Sequence, residues 1–219
     1  MKHVFALILM GVFSRLLFAG DTKESVFWQW FQQNEVRLFS FEKDRDKVFD
    51  DLSNAMKKVH PDLTFEFSPV LKDGHREFVI SAGGIKGAFP SVEALYAAAP
   101  KMQRWKFVKF RPRRTPINDL RYAEKKVRAQ DVYYLLFRDE SPQKVGIMIF
   151  LDGYKEDEKK SIWGQIGYLF LDEALGEYDV EMKVGAIVFQ SRESKYFERA
   201  HRLPELPKDF DDYFAKSKK

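Results

Sequence analysis

The spacing of apolar residues predicts two helices near the start of the chain. Within residues 24–41, apolar side chains recur with the period of a helix, and no glycine or proline interrupts them. A second helix is predicted over residues 44–60, where apolar residues repeat with the same period until His60-Pro61 ends it. Because aromatic side chains bury a large area, the rest of the chain is expected to pack around the first helix. Its stripe consists of Phe27, Trp30, Phe31 and Leu38.

A polar pair, Asn34 and Glu35, interrupts the aromatic stripe of the first helix. A local inconsistency of this kind can mark a buried polar site, and a buried Glu35 would then need a partner for its charge. The alternative interpretation places both residues at the edge of the stripe. There they would cap a neighbouring loop or pair with an arginine.

A hairpin, a helix and a third strand are predicted after these helices. Residues 63–68 alternate apolar and polar side chains, residues 77–82 form the returning strand, and Asp73-Gly74 between them is a typical turn. Pro90 then fits the first turn of a helix, and a strand follows over residues 105–110.

The second half of the chain repeats this order of elements. Strands are predicted over residues 131–137 and 145–151, then a helix over 156–175, then one long strand or two over 178–190. Residues 120–127 fit a short helix or a loop. The sequence therefore predicts an α+β protein with two N-terminal helices followed by two ββαβ units. We expect mixed or antiparallel sheets, one or two in number, with helices packed on one face.

Domain bounds follow from this order. The helical N-terminus and the first unit occupy residues 20–114, and the second unit occupies residues 115–200. Residues 201–219 form a C-terminal tail that has the spacing of a short amphipathic helix.

Residues 1–19 have the pattern of a secretory signal peptide. Lys2 precedes an apolar run over 4–13 that is too short to span a bilayer, and Ala19 suits the position before a cut. We therefore expect a periplasmic or secreted protein, with no stable membrane span in the mature chain. Two alternatives remain open, an uncleaved N-terminal anchor and a cytoplasmic protein with a mis-assigned start.

Composition limits the classes of function. The 219 residues include no cysteine, which excludes disulfides and cysteine-based metal or redox sites. The 45% hydrophobic content is enough for a packed core. Removal of residues 1–19 takes away Lys2 and Arg15 and leaves a net charge of +2, so the overall charge gives no argument for nucleic-acid binding.

A basic run around the third strand is the main candidate for ligand binding. Its basic residues alternate with Trp105, Phe107 and Phe110, a pattern that can hold single-stranded nucleic acid. The alternative is an amphipathic strand, since the odd spacing from 107 to 110 prevents a shared face. For an exported protein, an anionic surface polymer or lipid headgroup is the more suitable ligand. The candidate residues are Arg104, Lys106, Lys109, Arg111, Arg113 and Arg114.

No strong catalytic motif is present in the sequence. Neither a P-loop nor an H-E-x-x-H or G-x-S-x-G motif occurs, and no two histidines have metal-ligand spacing. We therefore predict neither a metal site nor a cofactor. Carboxylates near Glu35 or Glu177 remain candidates for acid–base chemistry, and the latter group includes Glu173, Asp179 and Glu181.

Four segments resemble a family of uncharacterised bacterial proteins over most of the chain after residue 19. The resemblance implies a bacterial source and a compact α+β domain, and it brings no assigned activity, so no functional residue is carried over. The segments are Phe27-Trp28-x-Trp30-Phe31-x-x-Asn34-Glu35, Pro61-Asp62-Leu63-Thr64-Phe65-Glu66-Phe67, Phe78-Val79-Ile80-Ser81-Ala82 and Trp105-x-x-x-x-Phe110-Arg111-Pro112.

These observations together favour an exported, non-enzymatic binding or interaction module whose partner is an unknown protein or an anionic ligand. One alternative is a hydrolase that depends on carboxylates. The other is a cytoplasmic RNA-associated protein, which requires that the leader is not a signal.

Overall fold

The structure, a computed structural model, describes residues 21–155 and 162–216. The predicted signal peptide lies outside the described residues. The described residues form N-terminal helices followed by two ββαβ units, so the predicted α+β class is confirmed.

The first unit contains a three-stranded sheet in the order β1-β2-β3. The first two strands are antiparallel, whereas β2 and β3 are parallel and are joined by a crossover through α4. Its elements are α1 (Lys23–Gln33), α2 (Glu35–Phe39), α3 (Arg45–Lys57), β1 (Thr64–Phe67), β2 (Arg76–Ser81), α4 (Phe89–Ala97) and β3 (Trp105–Lys109).

The second unit repeats this topology. Its sheet has the order β8-β7-β6-β9, in which β6 and β7 are antiparallel and β7 and β8 are parallel. The sheets of the two units are therefore separate. The elements are β4 (Leu120–Tyr122), β5 (Lys125–Val127), β6 (Tyr133–Arg138), β7 (Val145–Phe150), α5 (Ile162–Leu175), α6 (Glu177–Lys183), β8 (Val184–Gln190), β9 (His201–Arg202) and α7 (Leu206–Lys216).

Aromatic side chains build the core of the first unit on one face of its sheet. Phe31, with no exposed surface, lies with its ring centroid 5.1 Å from that of Phe78 on β2 and 5.0 Å from that of Trp105 on β3. The indole N–H of Trp28 donates to the carbonyl of Leu95 on α4 at 2.8 Å. The first helix thus holds the sheet and the crossover helix together, as its aromatic content predicts.

The predicted first helix is divided at Asn34. Its backbone N–H bonds to the end of α1, and its side-chain amide donates to the carbonyl of Trp30 at 2.8 Å. Trp28 is 3% exposed, whereas Trp30, the residue predicted from helical spacing, is only partly buried.

Two predictions for the second half are wrong. Residues 120–127 form the β4-β5 hairpin rather than a helix or loop, and residues 178–183 belong to α6 rather than to a strand. Gly176 has φ = 79°, a left-handed conformation suited to glycine, and it separates α5 from α6. Strand β8 begins only at Val184.

The C-terminal tail packs onto the core of the second unit. In α7, Leu206 and Phe210 have no exposed surface, and the hydroxyl of Tyr134 on β6 donates to Asp209 at 2.7 Å. The amphipathic helix predicted for the tail is therefore present. In the part of the chain that the structure describes, no helix is both long and apolar enough to cross a membrane.

Candidate binding groove between the two units

The chain turns sharply after β3. Phe110 has φ = 60°, which is uncommon for a bulky residue, and its N–H donates to the carbonyl of Ile80 at 2.8 Å. The turn carries its ring back into the core, 4.5 Å from the ring of Phe89. Trp105 and Phe110 are consequently 5% and 4% exposed, so they cannot stack on nucleic-acid bases. This arrangement matches the interpretation of the run as an amphipathic strand.

Glu177 anchors the second unit to the first. Its side chain has no exposed surface, and one carboxylate oxygen accepts the backbone N–H groups of Ala82 at 2.9 Å and Gly84 at 3.0 Å. The other oxygen accepts the N–H of Arg111 at 3.1 Å, and the N–H of Glu177 donates back to the carbonyl of Arg111 at 2.9 Å. Three amide donors thus enclose one buried carboxylate, as in an anion-binding nest.

Arg111 forms ion pairs with both units. Its Nε donates to Glu66 on β1 at 2.5 Å, and its Nη1 donates to Asp172 on α5 at 3.2 Å. The guanidinium of Arg111, one of the predicted ligand-binding residues, therefore connects the two units.

Arg113 and Arg114 also bind acids of the chain itself. Arg113 donates to Asp179 at 2.7 Å and to Asp211 at 2.9 Å. Arg114 donates through Nη1 to Glu77 at 3.3 Å. Together with Arg111, these contacts use three of the six predicted basic residues to hold the linking segment in place.

The other three predicted basic residues are more exposed. Arg104 lies over the ring of Phe39, 3.9 Å from its centroid, and 3.6 Å from Glu35. Lys106 contacts Asp73 at 2.5 Å. Lys109 contacts Glu93 at 3.2 Å, and both side chains of this pair are about half exposed. Exposed pairs of this kind contribute little to stability, so these cations remain accessible to other anions.

A groove of about 420 Å³ lies where the linking segment meets α6. It brings together three of the six predicted basic residues, Lys109, Arg111 and Arg113. The ring of Tyr178, a residue that is 44% exposed, lies beside them with its centroid 5.3 Å from that of Phe110. We call this the interface groove, and its lining is Glu93, Lys109, Phe110, Arg111, Pro112, Arg113, Leu175, Gly176, Tyr178 and Asp179.

A smaller cavity of about 120 Å³ lies behind Arg111 and is lined by Glu66, Asp172 and Glu173 among others. Burial raises the pKa of Asp172 to about 6, while Arg111 opposes the shift and the negative charge of Glu177 adds to it. The sequence analysis missed Asp172 and Glu66. Asp172 had a signal, because it and Glu173 are the only acids within α5.

Asn34 and Glu35 lie half-buried at the junction of α1 and α2. Asn34 bonds to the end of α1, and Glu35 lies 3.6 Å from Arg104. The Glu35 contact corresponds to the alternative in which the pair meets an arginine, whereas Asn34 bonds to its own helix rather than to a neighbouring loop.

Comparisons with known proteins leave the function open. No protein-family model matches the chain, no curated protein matches it, and no solved structure matches it. The family resemblance therefore stays a prediction. Within residues 21–155 and 162–216, no group of three or more histidine and acidic side chains is placed to hold a metal ion.

Proposed function

We propose that the protein is a non-enzymatic binding module that holds an anionic partner in the interface groove. The observation that carries this proposal is the convergence of Lys109, Arg111 and Arg113 beside the exposed ring of Tyr178. Ligand sites commonly combine an apolar wall with a few convergent polar groups, and this groove has both.

The chemistry of the groove defines the partner. Arg111 and Arg113 are held by internal acids, whereas Lys109 pairs with the exposed Glu93, lies 5.9 Å from the ring centroid of Tyr96, and can exchange that carboxylate for another anion. Tyr178 and Pro112 offer apolar surface beside this amine. A carboxylate or phosphate attached to a flat or apolar group satisfies both features.

Replacing Lys109 by glutamate is expected to weaken binding of such anions by about tenfold or more, because an accessible cation becomes a repulsive negative charge. We would screen carboxylate- and phosphate-bearing aromatic compounds by thermal shift and then titrate the best ligand into each variant. Lys106→Glu is the matched control, since it reverses a similarly exposed charge on the same strand but outside the groove.

Equal affinities for Lys109→Glu and Lys106→Glu would contradict the proposed location. A screen in which no anion stabilises the native protein would contradict the proposed ligand class.

We further propose that the protein is exported, which rests on the pattern of residues 1–19. The intact mass of the native protein from a periplasmic fraction is expected to correspond to a chain that begins at Gly20. A full-length or Met-trimmed species confined to the cytoplasm would refute export, and binding of RNA to the basic strand would then be the next measurement.

One observation favours a second function, that of a hydrolase using carboxylates. The raised pKa of Asp172 suits a general acid, and Glu66 and Glu173 line the same cavity. Glu177, the residue suggested from the sequence, already has its carboxylate enclosed by three N–H donors. Hydrolysis of a generic ester or glycoside that is lost in Asp172→Asn would support the enzyme over the binding module.

A further inference from the structure

Strand β8 is an open edge of the second sheet. It spans seven residues, Val184–Gln190, and among the described residues it pairs only with β7. The carbonyl of Gln190 accepts the N–H of Leu151, the residue that follows β7, so the backbone groups of Gln190 point toward β7. Because the direction alternates along a strand, the backbone groups of Val188 also point toward β7.

Ile187 and Phe189 therefore direct their backbone N–H and C=O groups away from the sheet. These groups have no hydrogen-bond partner within residues 21–155 and 162–216. The side chains at these positions pack on the core of the second unit, so the strand itself is held firmly while its outer edge is unpaired.

The other sheet edges carry features that discourage strand pairing. Strand β3 has Lys106 and Lys109, β1 has Glu66 and only four residues, and β9 has only two residues. By contrast, β8 reads Val-Gly-Ala-Ile-Val-Phe-Gln, with no charge and no proline. An edge of this composition is suited to pairing with another strand.

We propose that β8 pairs antiparallel with β8 of a second copy of this chain, which joins two four-stranded sheets into one across a two-fold axis. In the register centred on Val188, Ile187 of one copy is opposite Phe189 of the other. Both outward-facing residues then form hydrogen-bonded pairs in each copy. A two-fold contact uses the same patch on both copies, as this register requires.

Charge favours a second copy over an unrelated peptide. Because the strand is uncharged, self-pairing puts no like charges opposite each other within it. The same register brings Lys183, just before β8, toward Glu193 of the other copy, just beyond its strand. Both side chains are accessible, and the two-fold axis makes this complementary contact twice.

Val188 provides a direct test. Its side chain lies on the outer face of the sheet, opposite the core face that Ile187 and Phe189 share, and in the proposed register the two copies of Val188 meet at the axis. Val188→Lys and Val188→Glu should each raise the dimer dissociation constant by about tenfold or more, since like charges then meet. An equimolar mixture of the two variants should recover a dimer, measured by analytical ultracentrifugation.

Leu135→Lys is the matched control, because Leu135 lies in the same cross-strand row, two strands away from the edge. It should leave the dimer intact if the copies pair through their edges. Loss of the dimer in Leu135→Lys would instead indicate face-to-face packing and overturn the proposal. A wild-type protein that stays monomeric up to its solubility limit, or a mixture that recovers no dimer, would also overturn it.

Discussion

Replacing Glu177 by alanine is expected to lower the free energy of unfolding by roughly 3 kcal/mol or more. The carboxylate accepts the N–H groups of Ala82, Gly84 and Arg111, and each donor would lose its partner, in a buried bond for Ala82 and in partly buried bonds for the other two. A buried donor left unpaired costs about 1–3 kcal/mol, and the cavity left by the side chain adds to this cost.

Urea unfolding of purified variants measures the effect. Glu181→Ala is the matched control, because it removes a partly buried acid one turn further along α6 that forms no hydrogen bond with the first unit. Glu177→Gln keeps the shape and one acceptor oxygen, so it should lose less stability than Glu177→Ala and remain folded. A Glu177→Ala protein within about 0.5 kcal/mol of Glu181→Ala would show that the anchor contributes little.

This anchor also connects stability with the proposed binding. The linking segment supplies Lys109 and Arg111, and α6 supplies Tyr178, so the two walls of the interface groove come from different units. Glu177 is the residue next to Tyr178 and bonds to the backbone of Arg111. Its loss should therefore also widen the groove and weaken any ligand that contacts both walls.

The helices and strands that sequence periodicity predicted well are those with one clearly buried face. In α3, for example, Val48, Leu52 and Met56 follow the helical period and are all buried. Residues 178–183 were misassigned because Tyr178, Val180 and Met182 alternate with polar residues and fit a short strand equally well. The helix begins at Glu177, whose carboxylate bonds to the first unit far away in sequence. A local pattern of apolar and polar residues carries no information about such a contact.

The candidate site was only partly predictable for a similar reason. The sequence identified the arginines as a group, and three of the six basic residues do line one groove. It did not identify their partners, because Arg111 lies 45 residues from Glu66 and 61 residues from Asp172. Charged residues can be identified from a sequence, but which acid pairs with each arginine depends on how the two units pack together.

The raised pKa of Asp172 should make the stability of the protein depend on pH. As pH rises from about 3 to about 7, we expect Asp172→Asn to gain about 3 kcal/mol of stability relative to the native protein. The ordinary pKa of this group is 3.8, and burial raises its pKa to about 6 in the folded state. Each unit of difference between the folded and unfolded pKa corresponds to about 1.4 kcal/mol.

The direction of this change in stability follows from the number of protons that the folded and unfolded chains bind. Between these two values the folded chain keeps the proton on Asp172 while the unfolded chain has released it, so native stability falls as pH rises. Asparagine cannot ionise and has no such dependence. Its lost ion pair with Arg111 adds an offset, but the dependence still runs between about pH 4 and about pH 6, because that arginine keeps its charge and its contact with Glu66.

Urea unfolding of both proteins across this pH range gives the difference directly. Asp212→Asn serves as a control of opposite sign, since Lys208 lowers the pKa of Asp212 and the native contribution of that pair is lost only as pH falls. A difference in unfolding free energy between Asp172→Asn and the native protein that does not change with pH would contradict the prediction. It would mean that Arg111 lowers the pKa of Asp172 as much as burial raises it. Asp172 would then be ionised well below pH 6, which would leave the hydrolase alternative without its general acid and strengthen the case for a binding module.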